Sequence, residues 1–104
     1  MDRDELLRRI KSALVEAFGP RLRGVVLYGS EARGDAEPDS DIDLLVLLDG
    51  PVREPQDSWA CIDALYPLVL QVGRPIHCEP LDEQQFRHGN FALYENARRE
   101  GVPL

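Results

Sequence analysis

The sequence predicts an α+β fold with α/β-like alternation, a small β-sheet with helices packed on it. Apolar residues recur at helical spacing in long segments, short apolar runs have the length and composition of strands, and the two kinds of segment alternate along the chain. At 104 residues the chain is near the commonest domain size and long enough for a single core, so residues 1–104 are read as one domain.

Leu6, Leu7, Ile10, Leu14, Val15 and Phe18 keep helical spacing and Gly19-Pro20 stops the pattern, which predicts a helix over residues 3–18. "GVVLYGS" reads as a short buried strand ending at Gly29, and "GDAEPDS", residues 34–40, is loop by composition. "DIDLLVLL", residues 41–48, is the strongest strand signal, followed by the turn-rich "DGPVREPQD". Asp57 or Ser58 is the expected N-cap of a second helix carried by Trp59, Ile62, Leu65, Tyr66, Val69 and Val72 and ended by Gly73. "RPIHCEPL" is a short extended segment that Pro75 and Pro80 confine to a sheet edge or a brief pairing. Asp82 caps the short helix "EQQFRHG", and "FALYENARRE" is a final helix with Gly101 at its C′ position. His88, near a helix end, reads as a partner of the C-terminal dipole.

The composition, 43% hydrophobic and 30% charged, is that of an ordinary soluble globular protein. "MDRDELLRRI" lacks the apolar run of a signal peptide and no stretch approaches the roughly 18 apolar residues of a membrane span, so no membrane association and a cytoplasmic location are expected. A net charge of −7 argues against a broad nucleic-acid or anionic-lipid surface. A polyanionic ligand would need metal ions or a local arginine cluster. Cys61 and Cys78 are too far apart for a CxxC pair and read as small buried hydrophobes. Trp59 and Tyr66, seven residues apart on one helix face, are read as core packing or as part of an oligomer or partner surface.

Asp41 and Asp43 interrupt an apolar strand at alternate positions. Burying carboxylates costs several kcal/mol each unless their charge is compensated. Residues i and i+2 of a strand face the same way, roughly 6 to 7 Å apart, so both acids share one face while Ile42 and Leu44 point into the core. Such a pair can hold one divalent cation or bracket two, and magnesium suits it because it accepts few protein carboxylates and completes its shell with water and substrate phosphates. The plainer reading is a solvated strand end, or pairing with arginines. Upstream, Gly29-Ser30 sits where a strand turns into the short helix "SEAR", and its N–H groups and hydroxyl suit a phosphate.

Gly29, Ser30, Arg33, Gly34, Ser40, Asp41, Asp43 and Leu44 together give the pattern G-S-x-x-x-G-x(5)-S-D-x-D. This constellation resembles the signature of the DNA polymerase beta-type nucleotidyltransferase superfamily, and within it the minimal nucleotidyltransferases of bacteria and archaea. The leading helix, the "GRPI" segment and the closing "YENARREGVPL" extend the resemblance over nearly the whole chain. It implies a mixed sheet, with Gly29 and Ser30 gripping the triphosphate of ATP or another nucleotide, helped by Arg33 and Ser40. It also implies that Asp41 and Asp43 bind two magnesium ions, for which manganese can substitute. An acceptor hydroxyl would attack the α-phosphorus, in a reaction driven by positioning and charge neutralisation. A surface residue on a short helix is the simpler reading of Arg33.

Active members of that superfamily carry a third carboxylate on the next strand. Here the best-matching position is His77, and Glu79 is the nearby acid on the same face by strand alternation. Glu79 substitutes through a local shift, His77 serves as ligand or base, or the third position is absent. Short members are often paired with a small all-helical partner of the HEPN type, as antitoxins, and some transfer AMP onto it. The expected activity is therefore magnesium-dependent transfer of AMP to a hydroxyl on a partner protein. The alternatives are a weak or inactive module that neutralises a helical partner by contact, and a nucleotide sensor without turnover.

Overall fold

In the computed structural model, which describes residues 1–104, helix α1 (Arg3–Phe18) opens the fold with the bounds its periodicity predicts. Asp2 caps it by accepting the Glu5 N–H at 2.8 Å, and Leu6, Ile10, Leu14 and Phe18 form its buried stripe. A single 3-10 turn, Gly19–Arg21, leads into strand β1 (Leu22–Tyr28), which gives way at Gly29 to the short helix α2 (Gly29–Arg33). Strand β2 (Ile42–Leu48) begins one residue later than predicted, leaving Asp41 exposed at its mouth. Asp41 therefore needs no compensation for burial, and the cost inferred for two acids falls on Asp43 alone.

Helix α3 (Gln56–Val72) leads to β3 (Ile76–Asp82), followed by α4 (Glu83–His88), α5 (Ala92–Glu100) and the two-residue β4 (Val102–Pro103). The sheet order is β3-β2-β1-β4, with β2 antiparallel to β1 and parallel to β3, so the sheet is mixed. The parallel pair needs a crossover, which α3 supplies. On one face Ile42, Leu44, Val46 and Leu48 meet the buried sides of α1 and α3; on the other Leu45 and Leu47 meet Phe86 of α4 and Ala97 of α5. Burial on both faces explains why β2 reads as a continuous apolar run, with Asp43 as its polar interruption.

β3 is the sheet edge that Pro75 before it and Pro80 within it predict, and Asp82 does cap α4, accepting the Gln84 N–H at 2.8 Å. Gly73 ends α3 at φ +70°, in the left-handed region a C′ glycine favours. Gly101 is different: its φ is −72°, and a side chain there would collide with the Ala97 carbonyl and Val26 Cγ1. Its role is close approach, letting the chain turn into β4 beside β1.

For α3 the core reading of Trp59 and Tyr66 fails, while their surface reading stays open, and the expectation of Asp57 as N-cap fails. Trp59 and Tyr66 are 60% and 56% exposed, not core, because Cys61, Leu65 and Leu68 form the stripe that meets the sheet. Cys61 is buried there and Cys78 packs against the same core, as expected of small hydrophobes. Asp57 is no N-cap but lies inside the first turn of α3, buried, its carboxylate accepting both Arg21 guanidinium nitrogens at 2.9 Å and the Arg53 N–H at 2.8 Å.

The Arg21 hydrogen bonds, together with the Arg53 N–H, hold the Asp57 carboxyl below its usual range despite burial. A depressed folded-state pKa gives stability that is present above the unfolded value, about 3.9, and is lost as pH falls through the folded one. Urea midpoints measured from pH 7 downward should therefore fall below about pH 4. Asp57→Asn should lose about 1–2 kcal/mol at neutral pH and show a shallower acid limb. An unchanged acid limb in the variant would assign the acid sensitivity elsewhere.

Candidate active site

The sheet register builds a row across three strands. Tyr28 of β1 lies opposite Asp43 of β2, and Asp43 lies opposite His77 of β3. At the end of β1 the chain turns through Gly29 at φ +73°, and a Cβ built on Gly29 would stand 2.8 Å from Asp43 Oδ2. The glycine-serine turn and the second aspartate are thus in contact range, although fourteen positions separate Gly29 and Asp43 in sequence. Glycine is required twice over at position 29, by backbone conformation and by the carboxylate above it. Gly29→Ala should cost about 1–2 kcal/mol and displace the Asp43 carboxylate. A thermal melt and a metal titration would detect the two effects, and an alanine variant normal in both would contradict this geometry.

Asp43 is half-buried, and its pKa is raised: burial dominates, the neighbouring Asp41 charge adds to it, and His77 opposes it. His77 Nδ1 stands 3.8 Å from Asp43 Oδ1, and its side chain is exposed. Glu79 lies two residues further on the same face, opposite Leu45 rather than Asp43. The position beside Asp43 is therefore His77's, and no local shift brings Glu79 into register. Tyr28 is raised above its usual range by burial and by the Asp43 and Glu79 charges.

No three histidine, cysteine, aspartate or glutamate side chains close on a point that could hold an ion by themselves. The two carboxylates are an open donor set. Magnesium commonly takes one or two carboxylates and fills its remaining positions with water and phosphate oxygens, so Asp41 and Asp43 fit such a cation.

The remaining expected residues surround this row. Ser30 is in the first turn of α2, and its carbonyl accepts the Asp35 N–H at 3.1 Å. Gly34 ends α2 in the left-handed region. Arg33 is exposed and pairs with Asp35 at 3.4 Å. The Ser40 hydroxyl donates to the Glu37 carbonyl at 2.8 Å, folding the loop just before Asp41.

Sequence reasoning missed the group that holds these pieces together. Glu31, buried in α2, accepts from Arg74 Nη2 at 2.9 Å and Arg3 Nε at 3.3 Å, while Arg74 Nε donates to the Ser40 carbonyl at 3.0 Å. Arg74 thus clamps α2, the end of the 34–40 loop and the approach to β3. The hydrogen bond from Arg74 and the two guanidinium charges lower the Glu31 pKa against burial. A carboxylate in "SEAR" gave the one available signal, a charge on the inner side of a short helix.

Residues 7–97 match the family model described as nucleotidyltransferase domain. The chain belongs to the nucleotidyltransferase family. This nucleotidyltransferase is 30% identical over 105 residues to a Methanocaldococcus jannaschii protein provisionally named a protein adenylyltransferase, with 100% of this chain and 99% of that one aligned. It is similar in structure to a protein provisionally described as a minimal nucleotidyltransferase, at 27% identity and a TM-score of 0.60, covering 100% of this chain and 97% of the other. It also superposes on a toxin-antitoxin structure with AMP-PNP at a TM-score of 0.65 and 20% identity, over 92% of this chain and 69% of that one. The nucleotidyltransferase is accordingly an enzyme of the nucleotidyl-transfer class, with the mixed sheet of the minimal members.

Proposed function

We propose that this nucleotidyltransferase transfers AMP from ATP, with magnesium, to a hydroxyl on a partner protein, and that it is the antitoxin half of a toxin-antitoxin pair whose partner is a small helical protein of the HEPN type. The observation that carries the reading is the contact range between Gly29 and Asp43, which supports a shared site for a phosphate-holding turn and an aspartate carboxylate. The full-length relative named for protein adenylylation and the structural neighbour with AMP-PNP support the choice of nucleotide and acceptor.

In this reading Gly29 and Ser30 hold the triphosphate, Arg33 and Ser40 border it, and Asp41 and Asp43 hold two magnesium ions, with manganese as a substitute. When bound, magnesium neutralises phosphate charge and polarises the phosphoryl oxygens. The acceptor oxygen forms its bond to the α-phosphorus as the bond to the bridging oxygen breaks, and pyrophosphate leaves with the electron pair. In the same reading His77, beside Asp43, takes the acceptor's proton, and Glu79 is the exposed acid two residues on along the same face.

ATP labelled at the α-phosphate should label the partner in the presence of magnesium or manganese, whereas label at the γ-phosphate should not move. Transfer of the γ label, or no transfer with either metal, would overturn the reading. A second reading is favoured by His77 standing where a third carboxylate is expected: the fold neutralises its partner by contact alone. The Asp41→Asn/Asp43→Asn variant would then still neutralise the partner.

A further inference from the structure

The two edges of the sheet are unequal. β4 offers two residues, one of them Pro103, whereas β3 presents seven and pairs with β2 alone. The bond from the Ile42 N–H to the Pro75 carbonyl sets which groups of β3 face inward. By the alternation of a parallel ladder, the N–H and C=O of Ile76 and Cys78 point away from the sheet, and Pro80 follows at the next outward position, where its missing N–H costs no ladder bond. Edges of this length are usually blunted by charged residues, lysine above all, by proline, by a bulge or by a covering element, and here Pro80 blunts only the C-terminal half. β3 carries no lysine or arginine, and its register with β2 runs unbroken from Ile76 to Asp82.

A groove of about 440 Å³ runs along this edge, with Ile76, His77 and Glu79 on the strand side and Glu54, Ser58 and Ile62 opposite. Its carboxylates are Glu54 and Glu79, and no lysine or arginine lines it. Ile62 continues into the exposed apolar ridge of Trp59, Tyr66 and Leu70 on α3. His77 belongs both to the groove and to the row that contains Asp43.

We infer that the free edge of β3 is the docking track of the acceptor: an extended, basic polypeptide segment adds as a fifth strand and presents a hydroxyl side chain beside His77, which stands between it and Asp43. The inference rests on the protein-acceptor reading above. Unpaired backbone groups supply sequence-tolerant hydrogen bonds, as in other strand-addition complexes. The acidic groove selects basic flanking residues, and the α3 ridge covers apolar side chains of the same segment.

The test uses the full-length, isotope-labelled protein and a short arginine-rich peptide with a single hydroxyl side chain, without nucleotide. Hydrogen exchange at the Ile76 and Cys78 amides should slow by about tenfold or more, while His77 and Glu79, already bonded to β2, change little. Methylating alternate peptide nitrogens in one register should weaken binding by up to about tenfold per lost bond, and methylating the intervening ones should not. Glutamate in place of arginine, or Glu54→Gln in the protein, should weaken binding at low salt and matter less at high salt. Absence of binding at millimolar peptide, binding without protection of these two amides, or indifference to methylation would overturn the inference. Calorimetry of the same protein with AMP-PNP and magnesium separates the two failures: nucleotide bound with an unprotected edge rejects the docking track alone, and a protected edge without nucleotide binding rejects the transfer reading.

Discussion

Replacing Asp41 and Asp43 together by asparagine should lower nucleotidyl transfer by about a thousandfold or more and leave the protein folded, with its thermal midpoint unchanged or a few degrees higher. The two halves of this expectation have one cause. Asp43 is half-buried beside a like charge, and its pKa is raised, chiefly by burial. An acid whose folded-state pKa is raised opposes folding above that pKa, because its charged form is better solvated in the open chain. Asparagine removes that cost together with the charge a cation would bind. Transfer of α-phosphate label and a melt in metal-free buffer measure the two halves. Undiminished transfer would show that these acids do not carry the chemistry, and a midpoint lowered by several degrees would show that they hold the fold instead.

Arg74→Ala should be among the more damaging polar substitutions, destabilising the protein by about 3 kcal/mol. The Glu31 side chain is 8% exposed and that of Arg74 16%, whereas that of Arg3 is 50% exposed and screened by solvent. Removing Arg74 leaves a buried carboxylate with a weak partner and frees the Ser40 carbonyl. Arg3→Ala should cost under about 1 kcal/mol. Replacing Glu31 and Arg74 together by leucine and methionine should recover most of the loss, since an apolar pair of similar volume often substitutes for a buried ion pair. Denaturant unfolding of the four proteins measures this. A single Arg74 variant as stable as the parent would mean that the clamp contributes nothing.

The parts of the fold that were legible in the sequence are those whose signal is local. α1 follows from one apolar stripe, β2 from burial on both faces, and the α4 cap from Asp82 beside a helical pattern. α3 carries apolar residues on two sides, Cys61, Leu65 and Leu68 on one and Trp59, Ile62, Tyr66 and Leu70 on the other. Periodicity alone cannot say which side meets the sheet. Asp57 has the residue type of a cap, and its actual partner, Arg21, is 36 positions away. β4 is two residues long and includes a proline, below any strand signal.

The site divides the same way. The pattern around Gly29, Ser30, Asp41 and Asp43 marks the place because turn and strand residues occur at short spacing. The choice between His77 and Glu79 needed the parallel register, which sets His77 beside Asp43 and Glu79 beside Leu45. Alternation gives the face of a residue but not its neighbour across the ladder. The Glu31–Arg74 contact spans 43 positions, and the carboxylate in "SEAR" marks one end of it without pointing to the other.

The β1–β2 ladder has an architectural consequence. Tyr28 and Asp43 are held opposite one another by strand pairing, and the return of the chain into β2 is pinned by Arg74 on Ser40 and by Pro75 on Ile42. Between the two strands Asp35 is tied to Ser30 and Glu37 to Ser40, whereas Pro38 and Asp39 are exposed and their side chains make no hydrogen bond. Lengthening a surface connection changes its closure entropy only slowly, so this span is where foreign residues, an affinity tag or a reporter group could be spliced in with the reaction centre left in place.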